Sequence, residues 1–210
     1  LLLKDINDVQ YDVFNHPGIQ FFRLKTPRNE TVFGLMARKP GVRPWIIVKC
    51  GIFCELENSS TVRDMLIHLY DDSPFNVIIL NSHTANSNIV ANQRVSFGGM
   101  YEGQEMMAVA QWLKYFSPFT REIAAIHGMG VSLGGNAALY AGLYNDRTLY
   151  KGEKLFNSLV AYCPAINMGN TVKEVFRKTA KGVIFSLSTY RKMSLARPEV
   201  PDVPATLPGG

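Results

Sequence analysis

The chain has 210 residues, 47% of them hydrophobic and 19% charged, with a net charge of +5 at pH 7. That is the balance of one globular domain with room for a substantial core. No apolar stretch is long enough to span a bilayer, and no nucleic-acid-binding motif accompanies the mild positive charge.

In chain order, the opening Leu1–Asp5 lacks the charged and small-residue landmarks of a secretory leader. The run Thr31–Pro40 reads as a strand stopped by its proline, and Pro44–Gly51 as a strand stopped by a glycine. Thr61–Asp72 places Val62, Met65, Leu66 and Leu69 at helical spacing. Phe75–Ser82 is a continuous apolar run, the pattern of a strand covered on both faces. Gly103–Phe116 puts Met106, Val109, Ala110 and Leu113 on one helical stripe. Glu122–Gly130 reads as a strand, Asn136–Tyr144 as a helix and Phe156–Pro164 as another buried strand. Strand–helix alternation at this spacing predicts an α/β fold, a mostly parallel sheet with helices on both faces. Such sheets place ligands at the carboxyl ends of their strands.

Beyond Pro164 the pattern changes. Lys173–Arg197 holds seven Lys or Arg against one Glu, which reads as a solvated basic face or one that meets acidic lipid headgroups. The final Arg197–Gly210 has four prolines and two glycines and predicts an extended linker or exposed loop. Three cysteines, Cys50, Cys54 and Cys163, are too few for a disulfide framework and lack partners for a zinc site. We expect unpaired thiols, and this usage leans towards a reducing compartment. No metal and no cofactor is expected.

Chemistry is suggested at Gly130-Val131-Ser132-Leu133-Gly134, between a predicted strand and a predicted helix. A sharp strand-to-helix turn leaves no room for side chains two residues either side of the serine, so glycines fill those positions. The hydroxyl then projects over the sheet's rim, near the positive end of the following helix, and the Leu133 amide can donate to a developing oxyanion. A phosphate-binding loop would require the lysine of G-x-x-x-x-G-K-[ST], which is missing.

The stretch Gly130–Leu139 resembles the nucleophile turn of the α/β-hydrolases, in their lidded, esterase- or lipase-like branch. The resemblance covers roughly Val32–Pro164. It implies a Ser-His-acid triad, an acyl-enzyme on Ser132 and a second oxyanion amide after an earlier strand. At that place the sequence reads Lys49-Cys50-Gly51-Ile52-Phe53, which points to the backbone amide of Ile52. The family's loop often begins His-Gly, and Cys50 stands where that histidine would be. The resemblance also implies a lid after Pro164, with Val172, Val175, Phe176, Val183, Ile184, Phe185 and Leu187 roofing an apolar acyl pocket, and an ordinary packing helix is the alternative reading of this stretch. The expected organisation is a core over 1–165, a lid over 166–197 and a linker or cleaved loop over 198–210.

A serine hydroxyl needs a base, and in this family acid and histidine follow the nucleophile along the chain. No histidine follows Ser132. His127 lies within the predicted strand, roughly 16 Å away at about 3.3 Å per residue. His68 falls within a helix and His16 near the amino end. His83, just past a strand, is a candidate pocket residue beside Gly51. The expectation is therefore an incomplete hydrolase sheet whose acid and base come from a missing carboxyl-terminal portion of the same protein or from a second chain, with the carboxyl-terminal portion held as a second chain as the preferred form. The expected substrate is a small-molecule ester or lipid, with a peripheral membrane contact as a further partner and no nucleic acid. A non-catalytic ligand-binding protein on the same fold is the alternative, and an assembly role for the basic tail a third reading.

Overall fold

The computed structural model describes residues 16–56, 60–175, 187, 190–192 and 194. The linker expected over 198–210 and most of the stretch expected to form a lid lie outside them.

Six strands form one sheet in the order β1-β2-β4-β3-β5-β6: β1 Ile19–Lys25, β2 Thr31–Ala37, β3 Arg43–Lys49, β4 Asn76–Leu80, β5 Ile123–Val131 and β6 Ser158–Tyr162. The pairs β4–β3, β3–β5 and β5–β6 are parallel, whereas β1–β2 and β2–β4 are antiparallel. Helices α1 Ser60–Asp71, α2 Asn86–Asn92, α3 Met100–Tyr115, α4 Leu133–Arg147 and α5 Met168–Val175, with a 3₁₀ turn at Thr120–Glu122 before β5, complete the described elements. The predicted mostly parallel α/β sheet is present. Two elements were not foreseen: β1, which carries an exposed Phe21, and the seven-residue α2.

Side chains of successive strand residues point to opposite faces, and two cores follow. On one face Trp45, Ile47, Ile78 and Leu80 pack under Met106, Val109, Ala110 and Leu113 of α3 and Ala137 and Ala141 of α4. On the other, Ile46, Val48, Val77 and Ile79 pack with Leu66 and Ile67 of α1. Every residue of β3 from Trp45 and every residue of β4 is buried, as their uninterrupted apolar runs require.

The expectation that β6 is a buried strand is corrected. Ser158, Val160 and Tyr162 are exposed, and only Leu159 and Ala161 face α4. The physical reason is position: among the described residues β6 has a neighbour on one side only, and no described helix covers its second face. The expectation of unpaired thiols is corrected too. Cys50 and Cys54 form a disulfide, their Cα atoms 5.9 Å apart, and only Cys163 is free. The turn between them brings together two cysteines that spacing alone had not paired.

Candidate functional site

Ser132 joins β5 to α4. Its φ of 56° and ψ of −118° lie where side chains with a Cβ rarely go. The strain is held by its own backbone bonds: Ser132 N–H donates to Tyr162 O at 2.9 Å, and Ser132 O accepts from Gly135 and Asn136. Asn136 Nδ2 further ties the start of α4 to Ala165 O. Ser132 is exposed, and its Oγ makes no hydrogen bond among the described residues.

Glycine is required at two places around this turn. A Cβ on Gly130 would stand 1.8 Å from Gly134 O, and one on Gly134 would stand 2.1 Å from Lys49 O and 2.6 Å from Cys50 O. All three obstacles are backbone, so neither site can relax without moving α4 off β5 or β3. Gly130→Ala should therefore cost about 3 kcal/mol, at the upper end for overpacking. Gly142→Ala, on the same helix, meets only Leu159 Cδ1 at 3.6 Å and should stabilise by about 0.5–1 kcal/mol. Urea unfolding of the two variants checks both signs.

The end of β3 comes up against the serine. A Cβ on Gly51 would lie 3.2 Å from Ser132 Cβ and 3.7 Å from its Oγ. Beyond Gly51 the chain turns: Cys54 N–H donates to Gly51 O at 3.2 Å and Phe53 N–H to Thr84 Oγ1 at 2.6 Å. The amides of Ile52 and Leu133, the two expected donors, have no acceptor among the described residues. The turn thus brings together Ser132, Gly51, Leu133 and Ile52, flanked by Gly130 and Gly134.

His83 is buried behind this surface, with Nε2 2.6 Å from Glu105 Oε1. Glu105 Oε2 accepts from Lys49 Nζ at 2.5 Å, and Lys49 also donates to Asn81 O at 2.5 Å. Glu102 Oε1 lies 3.8 Å from Lys49 Nζ. Burial pushes the Glu105 carboxyl up, but Lys49 and His83 outweigh it by charge and hydrogen bonding and hold it below its ordinary value. The other histidines are engaged elsewhere: His127 Nδ1 with Ser158 Oγ at 2.8 Å, His68 with Asp72 at 2.9 Å and His16 with Asp71 at 3.8 Å.

The sequence reading missed this ionic group. A signal was available: Glu102 and Glu105 fall on the buried side of α3 with Met106, Val109 and Leu113, where a solvated carboxylate does not belong.

Of the apolar residues expected to roof the pocket, Leu187 alone has a described side chain, and it is exposed. Nearby Lys192 does reach back to the site's edge. Its Nζ hydrogen-bonds Asn86 Oδ1 and lies 5.6 Å from the centre of the Phe53 ring. Burial pushes the Lys192 ammonium below its ordinary value, with Glu55 opposing and Arg191 reinforcing the shift.

Solved structures share this fold. The Pyrococcus furiosus esterase Pf2001 superposes with a TM-score of 0.58 at 17% identity, over 86% of this chain and 63% of that one. The fold is that of an α/β-hydrolase. A hyperthermophilic esterase from Pyrobaculum calidifontis shares this fold with a TM-score of 0.52 at 17% identity, over 83% of this chain and 55% of its own. The α/β hydrolase GrgF from Penicillium gives 0.51 at 14% identity, over 62% and 43%. This chain therefore spans 43–63% of the length of these structures. No protein-family model matches the sequence, and no curated protein matches it.

Proposed function

We propose that this chain carries the nucleophile of a serine hydrolase that cleaves carboxylic esters, with lipid esters within its range. One observation carries the reading: Ser132 is held in a strained, positive-φ turn with its hydroxyl exposed and uncommitted. Strain of this kind persists only where the surroundings over-determine it, and it clusters at reactive sites.

In this reading Ser132 Oγ attacks the ester carbonyl as a base takes its proton. The carbonyl oxygen becomes an oxyanion, stabilised by the N–H groups of Leu133 and Ile52. Collapse expels the alcohol, which takes up the proton, and leaves an acyl-enzyme. Water then attacks, releasing the acid and restoring Ser132. The contact of Lys192 with the Phe53 ring supports a covering role for the carboxyl-side segment. A fluorophosphonate probe tests the reading: peptide mass spectrometry of the labelled full-length protein should find the adduct on Ser132. No adduct there would end it.

The base and its carboxylate are proposed to come from residues outside this chain. Each of the four histidines already has a partner away from Ser132, and the matched hydrolases extend well past the region this chain covers. The open edge of β6, with Val160 and Tyr162 exposed on its bare face, is where further strands would add. Intact mass under native conditions should then show a complementing chain beside the 23.4 kDa species, or one larger polypeptide. A well-folded lone monomer of that mass would contradict it.

The engagement of all four histidines also favours a second reading, a ligand-binding protein on the same fold. It predicts binding of an apolar ester with neither labelling nor turnover.

A further inference from the structure

The turn that presents Ile52 is held by a chain of hydroxyls running to a buried carboxylate. Glu102 Oε1 accepts from His83 N–H at 2.7 Å and from Ser82 Oγ at 3.1 Å. Ser82 Oγ lies 2.8 Å from Thr84 Oγ1, which in turn accepts from Phe53 N–H. All three side chains are buried.

The direction of the chain follows from its ends. The Ser82 proton is spent on Glu102, so the Thr84 hydroxyl must donate to Ser82. Thr84 oxygen is then left as the acceptor for Phe53 N–H. Each link polarises the next. Glu102 is kept in place by the same α3 face that carries Glu105, and Lys49 draws on both carboxylates.

What this holds is an unusual backbone. Phe53 has a φ of 57°, rare for a bulky side chain. That conformation closes the turn so that Gly51 O meets Cys54 N–H. In a planar trans peptide the N–H of Ile52 points opposite to the C=O of Gly51. With the carbonyl fixed towards the inside of the turn, the Ile52 N–H is turned outward. If Phe53 relaxed to a negative φ, the Gly51–Ile52 peptide plane would be free to rotate and its donor would lose its aim.

We infer that Glu102, Ser82 and Thr84 are positioning residues: this buried hydroxyl relay sets the Phe53 turn and so aims the Ile52 amide used in ester cleavage. The inference rests on the proposed function, since it concerns one of that function's oxyanion donors.

Thr84→Val and Thr84→Ser test it in the full-length protein. Valine keeps the shape and removes the acceptor, while serine keeps the acceptor. Two readouts are taken once thermal unfolding shows both variants folded: hydrogen exchange at the Phe53 amide, and kcat and KM on a p-nitrophenyl ester. Thr84→Val should exchange at least tenfold faster and lose roughly tenfold in kcat at unchanged KM. That loss is smaller than the ~100-fold or more for deleting an oxyanion donor outright, because the amide is misaimed and not removed. Thr84→Ser should behave as wild type in both. Unchanged exchange in Thr84→Val overturns the relay. Faster exchange with unchanged kcat, or a loss confined to KM, overturns its link to catalysis. If Thr84→Val does not fold, Ser82→Ala takes its place with the same expected losses. Failure of the wild-type Ser132 to label or turn over would instead sink the proposed function, a result these variants cannot mimic.

Discussion

Replacing Ser132 with alanine should abolish ester turnover, by about 10⁴-fold or more in kcat, while leaving the fold intact. The first half follows from chemistry: the amides that remain can polarise a carbonyl but cannot form the acyl-enzyme. The second half follows from structure. Among the described residues Ser132 Oγ has no hydrogen-bond partner to lose, and the bonds that fix the turn run through its backbone. Alanine has the same backbone preferences as serine to within a small margin, so the strained φ is neither relieved nor worsened. Thermal unfolding alongside steady-state kinetics separates the two halves. Retention of turnover in Ser132→Ala would exclude this serine as the nucleophile. Loss of turnover together with loss of the fold would make the turn a structural device.

Replacing Lys49 with methionine should destabilise the protein by about 3–5 kcal/mol, the cost of stranding a buried charge whose partner is removed. Methionine fills most of the lysine's volume, so little of that loss is cavity. What remains is Glu105, fully buried, with its lysine partner gone, and Asn81 O with only the long bond from Asn88 Nδ2 at 3.5 Å. The double variant Lys49→Met, Glu105→Leu should lose less than the two single losses added together, because the stranded carboxylate goes with its partner. Acid should probe the same group. Glu105 is held below its ordinary value of 4.5, so the unfolded chain takes up this proton first as pH falls. Its contribution to stability is present in full above about pH 4.5 and is lost as pH drops through the lower, folded value. Urea midpoints at pH 7 and in the window below 4.5 should therefore converge between wild type and Glu105→Gln. An equal gap at both pH values would show that Glu105 contributes no proton linkage.

Much of the sheet was legible because its central strands are apolar without a break. The runs Trp45–Val48 and Val77–Leu80 can be satisfied only by burial on both faces, and both are buried. The turn at Ser132 was legible because glycines stand where backbone crowds in, at Gly130 and Gly134. The strand β1 was not, since its outward residues Phe21 and Arg23 blur any alternation, though the Asn29 turn before β2 was a hairpin signal. The face of β6 was misread because an apolar run records what a strand can bury, not whether a neighbour is there. The ionic group was least legible of all. Lys49 closes an apolar run and reads as its solvent end, and only the docking of α3 reveals that it is enclosed.

The order of the sheet also constrains how the molecule comes together. β2 and β3 follow one another in the chain but never touch; β4 is inserted between them. Until Asn76–Leu80 has been made, a growing polypeptide can hold a two-stranded ribbon and one solitary segment, and no more. That piece is the wedge through which the β1–β2 ribbon joins β3 and the parallel strands beyond it. Disruption there should therefore split the sheet into a two-stranded ribbon and a three-stranded remainder, where equal damage at β1 would leave the other five strands able to associate.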